Sequence, residues 1–212
     1  MSEKLFRIYY EIRRKVRYIL LKDKDISIIT NNCLGGKLAH DFGLPLNSPV
    51  VNMQMTPEDF VKFCARQDEY LEQEFVEADN INGTCKLTFK KVGGGDIDFP
   101  VAMIGDIYLY LQHYDNFQDA KEAWERRKKR IKEKRFYVLV TKLQGNETAI
   151  EQFDRIPADN KLVLLIDKPY KGDLRQSRYM CLNVPAGIHF MDRKGFRYFY
   201  DKFPFLKWFN KD

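Results

Sequence analysis

No stretch of this 212-residue chain approaches the about 20 consecutive apolar residues that a membrane-crossing helix needs, so no spanning helix is expected. The start, Met-Ser-Glu-Lys, runs into a charged amphipathic segment rather than an apolar core, and no secretion signal is read. The four cysteines (33, 64, 85 and 181) lack Cys-x-x-Cys or zinc-ligand spacing. In a leaderless chain they are expected as free thiols rather than a disulfide framework. Internal repeats and low-complexity linkers are missing too. So is any helix-turn-helix, finger or RNA-binding signature, and no nucleic-acid partner is expected. The Gly93-Gly94-Gly95-Asp96 run lacks the strand-then-helix setting of a phosphate-binding fingerprint and reads as a hairpin loop. Asp96 and Asp98 in that loop, with Asp106, are too weak a pattern to assign a metal.

What is present is a foldable chain. Hydrophobic residues make up 44% and aromatics 14%, which excludes wholesale disorder and suits one large domain or one domain with an appendage. The net charge of +6 is unevenly spread. Residues 121–135 hold nine Lys/Arg against three Glu, and residues 1–24 hold eight against three acids. Two basic faces on an otherwise slightly acidic body suggest an anionic partner, and a solvated helix face is the plainer alternative.

The organising stretch is Asp25-Ile-Ser-Ile-Ile-Thr-Asn-Asn-Cys-Leu-Gly-Gly36. Ile26 to Thr30 is mostly β-branched and reads as a strand, after which Leu34, Leu38 and Phe42 recur at helical spacing. That places Asn31, Asn32 and Cys33 at the carboxyl end of a strand beside free helix-terminal N–H groups. Ligands bind at such edges, and a helix N-terminus favours a thiolate.

Before it, residues 4–21 predict a helix with one apolar stripe, Leu5, Tyr9, Ile12, Val16 and Ile19, and arginines on other faces. The stripe either packs on the domain or lies on the inner leaflet of a membrane. After it, Val50 to Met55 reads as extended, and Thr56-Pro-Glu-Asp59 opens a helix to about Glu72. Residues 74–112 read as β structure, including Phe75-Val76, Cys85 to Val92, Phe99 to Met103 and Ile107 to Leu111. Asn116 or Asp115 caps a helix from Phe117 to about Glu133. Strand, helix and strand follow at 136–140, 147–153 and 162–166. The expected fold is α/β: a single domain with a mixed, partly parallel sheet flanked by helices. Its parts are a basic helix (1–24), a core (25–170) and an aromatic-rich extension packed on it (171–212).

Asn31-Asn-Cys-x-Gly-Gly36, Ser48-Pro49, Pro100-x-x-x-x-Gly-Asp-Ile107, His113-Tyr114 and Ala123-Trp-x-x-Arg-x-x-Arg130 occur together in this order. The combination resembles an uncharacterised bacterial family of exopolysaccharide or capsule biosynthesis proteins, some of them described as acetyltransferases. It covers roughly residues 25–170. Leu34 stands where members often carry an aromatic. His40 stands near a position that is often tyrosine, so it is a candidate outside the family pattern. The resemblance implies surface-polysaccharide assembly at the cytoplasmic face, without fixing a reaction.

The sharpest chemical reading makes Cys33 a nucleophile and His113 its base, with Asp106 or Asp115 orienting the imidazole. Asn31, Asn32 and the amides of Gly35 and Gly36 would donate to a developing oxyanion. Arg127, Arg130 and neighbouring lysines would hold phosphates of coenzyme A, a nucleotide sugar or a lipid diphosphate. The resembling motifs add Ser48, Tyr114 and Trp124 as substrate-binding residues, and His189 is a further candidate outside them. These parts suit acyl transfer from a thioester such as acyl-CoA to an anionic or lipid-linked sugar. The competing readings are a structural Cys33 and His113, a glycosyl or phosphosugar transferase, and a non-catalytic module docking on the inner membrane through its basic helices and aromatic tail.

Overall fold

The computed structural model describes residues 3–78 and 99–211. The chain begins with α1 (Glu3–Leu20), β1 (Ile26–Thr30), α2 (Leu34–Asp41), α3 (Pro57–Ala65) and α4 (Gln67–Glu72). Three short strands follow, β2 (Val76–Glu77), β3 (Val101–Ile104) and β4 (Ile107–Tyr110), and then α5 (Phe117–Lys128), β5 (Lys134–Thr141), α6 (Glu147–Arg155) and β6 (Lys161–Leu165). The last part carries β7 (Arg178–Cys181), β8 (Arg193–Lys194), β9 (Arg197–Tyr198), a 3-10 turn (Phe199–Lys202) and α7 (Phe205–Phe209). The strand expected over 85–92, the loop at 93–96, Cys85, Asp96 and Asp98 lie outside the described residues.

The main sheet is parallel, in the order β1-β5-β6-β7, with Ile28 opposite Phe136, Leu139 opposite Val163 and Val163 opposite Tyr179. β1 and β6 are buried at every position, as expected for strands covered on both faces. Alternation divides the core in two. Ile29, Leu139, Val163 and Leu165 meet Phe60 and Phe63 of α3, Trp124 of α5 and Ile150 and Phe153 of α6. Ile28, Phe136, Val138, Leu162 and Leu164 meet Leu34 and Leu38 of α2 and Trp208 and Phe209 of α7. The molecule is a single mixed α/β domain, a four-stranded parallel sheet between helices with small antiparallel sheets beside it. The segment beyond residue 170 is part of this architecture. It supplies the strand β7, and its Trp208 and Phe209 rings meet Phe136 edge-on, each at 4.9 Å between centroids.

Two helices end earlier than their sequence pattern predicts. The expected helix over 57–72 starts on its cap, with Thr56 Oγ1 accepting from the Asp59 amide at 3.2 Å, but breaks at Arg66, whose φ of −133° leaves the helical region. The helix predicted to reach Glu133 stops at Lys128. There the Lys132 amide donates to Ser27 Oγ at 2.9 Å, drawing the chain toward β1, where it becomes β5.

The N-terminal helix turns a different face to the domain from the one its apolar stripe suggests. Phe6, Tyr10, Arg13 and Arg17 face inward, while Leu5, Ile8, Ile12, Val16 and Ile19 are exposed. The inward arginines are the cause. Arg13 and Arg17 reach Asp201 at 2.7 and 2.8 Å and Asp41 at 3.3 and 3.4 Å. The Asp41 carboxylate is fully buried and also accepts from the hydroxyls of Tyr10 and Tyr200 and from Lys37. The Lys37 ammonium lies over the Tyr198 and Tyr10 rings, 4.3 and 4.6 Å from their centroids. Among the described residues no helix is long and apolar enough to cross a membrane.

Candidate active site

Asn31-Asn32-Cys33 leaves the carboxyl end of β1, and Cys33 is the N-cap of α2. The turn is tight because the Gly35 amide donates to Thr30 Oγ1 at 2.9 Å and the Leu34 amide donates to Asn32 Oδ1 at 3.0 Å. A side chain on Gly35 would bring its Cβ to 2.9 Å from Thr30 Oγ1 and 3.2 Å from the Ile28 carbonyl. On Gly36 it would reach 3.0 Å from Val51 Cγ1. Both glycines let α2 seat closely on its neighbours.

The antiparallel sheet β2-β3-β4 delivers the second half of the site. Gln54 and Tyr110 exchange both backbone hydrogen bonds, at 2.9 and 2.8 Å, and the Met55 amide donates to the Asn31 carbonyl at 2.9 Å. Residues 54–55 thus tie the end of β4 to the end of β1. The chain then turns through Gln112 and His113, and His113 Nε2 lies 2.9 Å from Cys33 Sγ. His113 is exposed and Cys33 half-buried, so the pair opens to solvent.

Burial pushes the Cys33 thiol up to about 11, partly offset by its own backbone N–H. This corrects the expectation of a thiolate populated by the helix terminus, since desolvation outweighs the amide. At neutral pH the sulfur holds its proton beside an imidazole placed to accept it. The first-turn amide of Gly36 has no acceptor among the described residues. Neither has the side-chain N–H₂ of Asn32. These two are the oxyanion donors still open.

Other expected site residues have different roles here. Asn31 is buried and bridges β1 to β5, donating to the Val140 carbonyl at 3.0 Å and accepting from its amide at 2.9 Å, so its side chain serves the sheet. Gly35 is committed to Thr30. Asp106 accepts from Tyr70 at 2.6 Å and Lys62 at 2.9 Å, which hold its carboxyl down at about 2. Neither it nor Asp115 bonds His113, whose Nδ1 has no partner among the described residues. Ser48 and Trp124 are 1% and 0% exposed, too enclosed to touch a substrate. Trp124 stacks on Phe75 at 5.1 Å.

Arg127 is buried as well. It donates to the Val51 carbonyl at 2.9 Å and the Tyr114 hydroxyl at 2.6 Å, and it meets no carboxylate among the described residues. Tyr114 follows His113, and Val51 packs on Gly36, so one guanidinium braces both arms of the site. Sequence reasoning assigned Arg127 to phosphate binding from its place in a basic run, although its spacing from Ala120 and Trp124 puts it on the buried face of α5. Arg130 is exposed. His40 stacks on Tyr10, whose hydroxyl is 2.9 Å from its Nδ1, and His189 Nδ1 accepts from the Met191 amide at 3.3 Å. Neither bonds Cys33 or His113.

A family model described as a domain of unknown function (DUF1919) matches residues 1–210. An uncharacterized protein of Haemophilus influenzae is 31% identical over 200 residues, which is 90% of this chain and 86% of that protein. The matched span takes in α1, the main sheet, the Cys33–His113 pair and α7 alike, and the chain belongs to the DUF1919 family.

Proposed function

We propose that the protein transfers an acyl group from a thioester to a sugar hydroxyl through Cys33 and His113, in the assembly of a bacterial surface polysaccharide or its lipid-linked precursor. The observation that carries the chemistry is the 2.9 Å contact between Cys33 Sγ and His113 Nε2 at a solvent-open strand end. The polysaccharide setting comes from the motif resemblance alone.

In this reading His113 Nε2 takes the Cys33 proton as the sulfur attacks the thioester carbonyl. The tetrahedral oxyanion lies toward the Gly36 amide and the Asn32 side-chain N–H₂. Collapse breaks the donor carbon–sulfur bond, and the departing thiolate recovers the proton from His113. The sugar hydroxyl then attacks the acyl-Cys33 thioester while His113 accepts its proton and passes it to the leaving Cys33 sulfur. Arg127 braces the site from behind, holding the turns of Val51 and Tyr114 beside Cys33 and His113. A lipid-linked acceptor would place this reaction at the inner face of the membrane.

Intact-protein mass spectrometry after incubation with acetyl-CoA tests the reading. An acetyl adduct is expected on the natural chain and on no Cys33→Ala chain. If the natural chain carries no adduct with acetyl-CoA or longer acyl-CoA thioesters, the acyl-enzyme step is wrong.

A further inference from the structure

The exposed stripe of α1 is the largest feature of the fold that the proposed chemistry leaves unused. Leu5, Ile8, Ile12, Val16 and Ile19 recur at intervals of three and four, so they form one line, and each is between 47 and 74% exposed. From Leu5 to Ile19, at about 1.5 Å per residue, that line is about 21 Å long. It continues onto a second element. Tyr9 meets Phe196 at 4.6 Å between ring centroids, and Phe196 stands exposed at the tip of the β8–β9 hairpin, between Lys194 and Arg197.

The charge around this line decides what covers it. Lys4, Arg7 and Lys15 on α1, with Lys194 and Arg197 on the hairpin, are exposed and form no ion pair among the described residues. The two acids of α1 are already engaged, Glu3 with Arg193 and Glu11 with Arg14 at 3.2 Å. The face therefore offers apolar side chains, an aromatic at a loop tip, and cations, while both acids of α1 are already paired. A second copy laid on the stripe would cover the apolar line but bring to the cations only the same cations and the same already paired acids. An anionic lipid surface complements both halves, since its acyl boundary takes the apolar line and its headgroups take the cations.

We propose that α1 and the tip of the β8–β9 hairpin form an interfacial docking surface for an anionic membrane, on which the helix lies flat. The inward face of α1 is held to α2 through Arg13, Arg17, Asp41 and Lys37, so docking needs no rearrangement of the domain. The docking face and Cys33 are then joined through α2. The inference does not depend on the chemistry of Cys33.

Flotation of the full chain with vesicles tests it, comparing phosphatidylglycerol/phosphatidylethanolamine mixtures with pure phosphatidylcholine. Binding is expected only to the anionic vesicles, weakening at least several-fold as salt rises from 50 to 300 mM. The Ile12→Glu/Ile19→Glu chain, altered only at exposed positions, should lose at least tenfold in partitioning while its circular dichroism and melting remain unchanged. Cys33→Ala should bind like the natural chain, which separates this outcome from that of the acyl-transfer test. Equal binding by the Ile12→Glu/Ile19→Glu chain would overturn the proposal. So would the absence of vesicle binding, including the case where the natural chain dimerises in sedimentation and the double substitution abolishes the dimer.

Discussion

The Arg127 guanidinium donates to the Tyr114 hydroxyl at 2.6 Å and to the Val51 carbonyl at 2.9 Å, and the Tyr114 hydroxyl reaches the same carbonyl at 3.2 Å. One buried cation therefore closes a triangle between the turn that presents His113 and the turn that packs on Gly36. Both bonds leave one nitrogen, Nη1, and Arg127→Lys keeps the charge on a shorter side chain that does not reach both acceptors, which should cost about 1.5–3 kcal/mol, the range for hydrogen bonds to charged groups. Tyr114→Phe should cost less, because Arg127 still holds Val51. The pair should couple by at least about 0.5 kcal/mol in a double-mutant cycle of urea unfolding. Additive costs would mean that the triangle is not a unit.

Gly35 and Gly36 are adjacent but should respond differently to alanine. Alanine gains about 1 kcal/mol of helix propensity at either site. At Gly35 the new Cβ would lie 3.2 Å from the Ile28 carbonyl and 2.9 Å from Thr30 Oγ1, and backbone in the middle of β1 cannot yield. Overpacking of this kind costs about 1–3 kcal/mol, so Gly35→Ala should be the more destabilising. At Gly36 the opposing atom is a Val51 methyl at 3.0 Å, which can shift by a rotamer. Urea midpoints for the two chains check the order, and an equal or reversed order would sink the argument.

The contrast between these glycines also shows what the sequence could and could not say. Ile26 to Thr30 and the helix after Cys33 were readable because β-branched residues and helical spacing are local signals. Thr56 and Asn116 announced their helices for the same reason, through caps visible within four residues. The meeting of Cys33 with His113 was readable only as a hypothesis, since two strand ends on one sheet edge are natural neighbours. Its anchor, the exchange between Gln54 and Tyr110, is a backbone contact that leaves no mark on residue identity. Asp106 was a reasonable orienting acid by its nearness in sequence to His113, yet β4 carries the two to opposite ends of one strand. For α1 periodicity gave the right line and left open whether the domain covers it, which it does not. A stripe of apolar residues says that something covers it, not that the protein does. The opposite face is held by Asp41 and Asp201, 28 and 188 residues away from Arg13 along the chain, and no window on the helix contains them.

Asp41 is the hub of that buried network, and its removal would leave Arg13, Arg17 and Lys37 short of a carboxylate. Asp41→Ala should cost about 3–5 kcal/mol, as breaking buried ion pairs does. Loss of protection should be greatest in the α1 amides by hydrogen exchange. Asp201 adds a pH dependence. Burial pushes its carboxyl up, but the hydrogen bonds from Arg17 and Arg13 outweigh this and leave it below the usual 3.8. A depressed folded value means that the contribution is full above pH 4 and fades as the pH falls through the folded value. Asp201→Asn should therefore flatten the acid limb of stability below pH 4 relative to the natural chain. An unchanged acid limb would place the acid sensitivity elsewhere.

Cys33 has the opposite sign. Its thiol is raised from 9.0 to about 11 by burial, so the folded chain keeps a proton that the unfolded chain gives up first. That stabilising contribution is fully present below pH 9 and is lost as the pH rises from 9 through 11. The melting temperature of the natural chain should therefore fall relative to that of Cys33→Ala over this window, beyond any constant offset between them. Reactivity should follow the same thiol. Alkylation of Cys33 by iodoacetamide should keep rising with pH beyond 9, where an ordinary thiol levels off. At neutral pH, where the sulfur is protonated, the remaining rate depends on a base within reach, and His113 Nε2 at 2.9 Å is the candidate. His113→Ala should lower the alkylation rate at pH 7 at least several-fold and leave the rate near pH 11 unchanged, because the sulfur is then ionised without help. A uniform fall at both pH values would indicate a change in access rather than the loss of a base. No fall at either would reduce the pair to a structural contact.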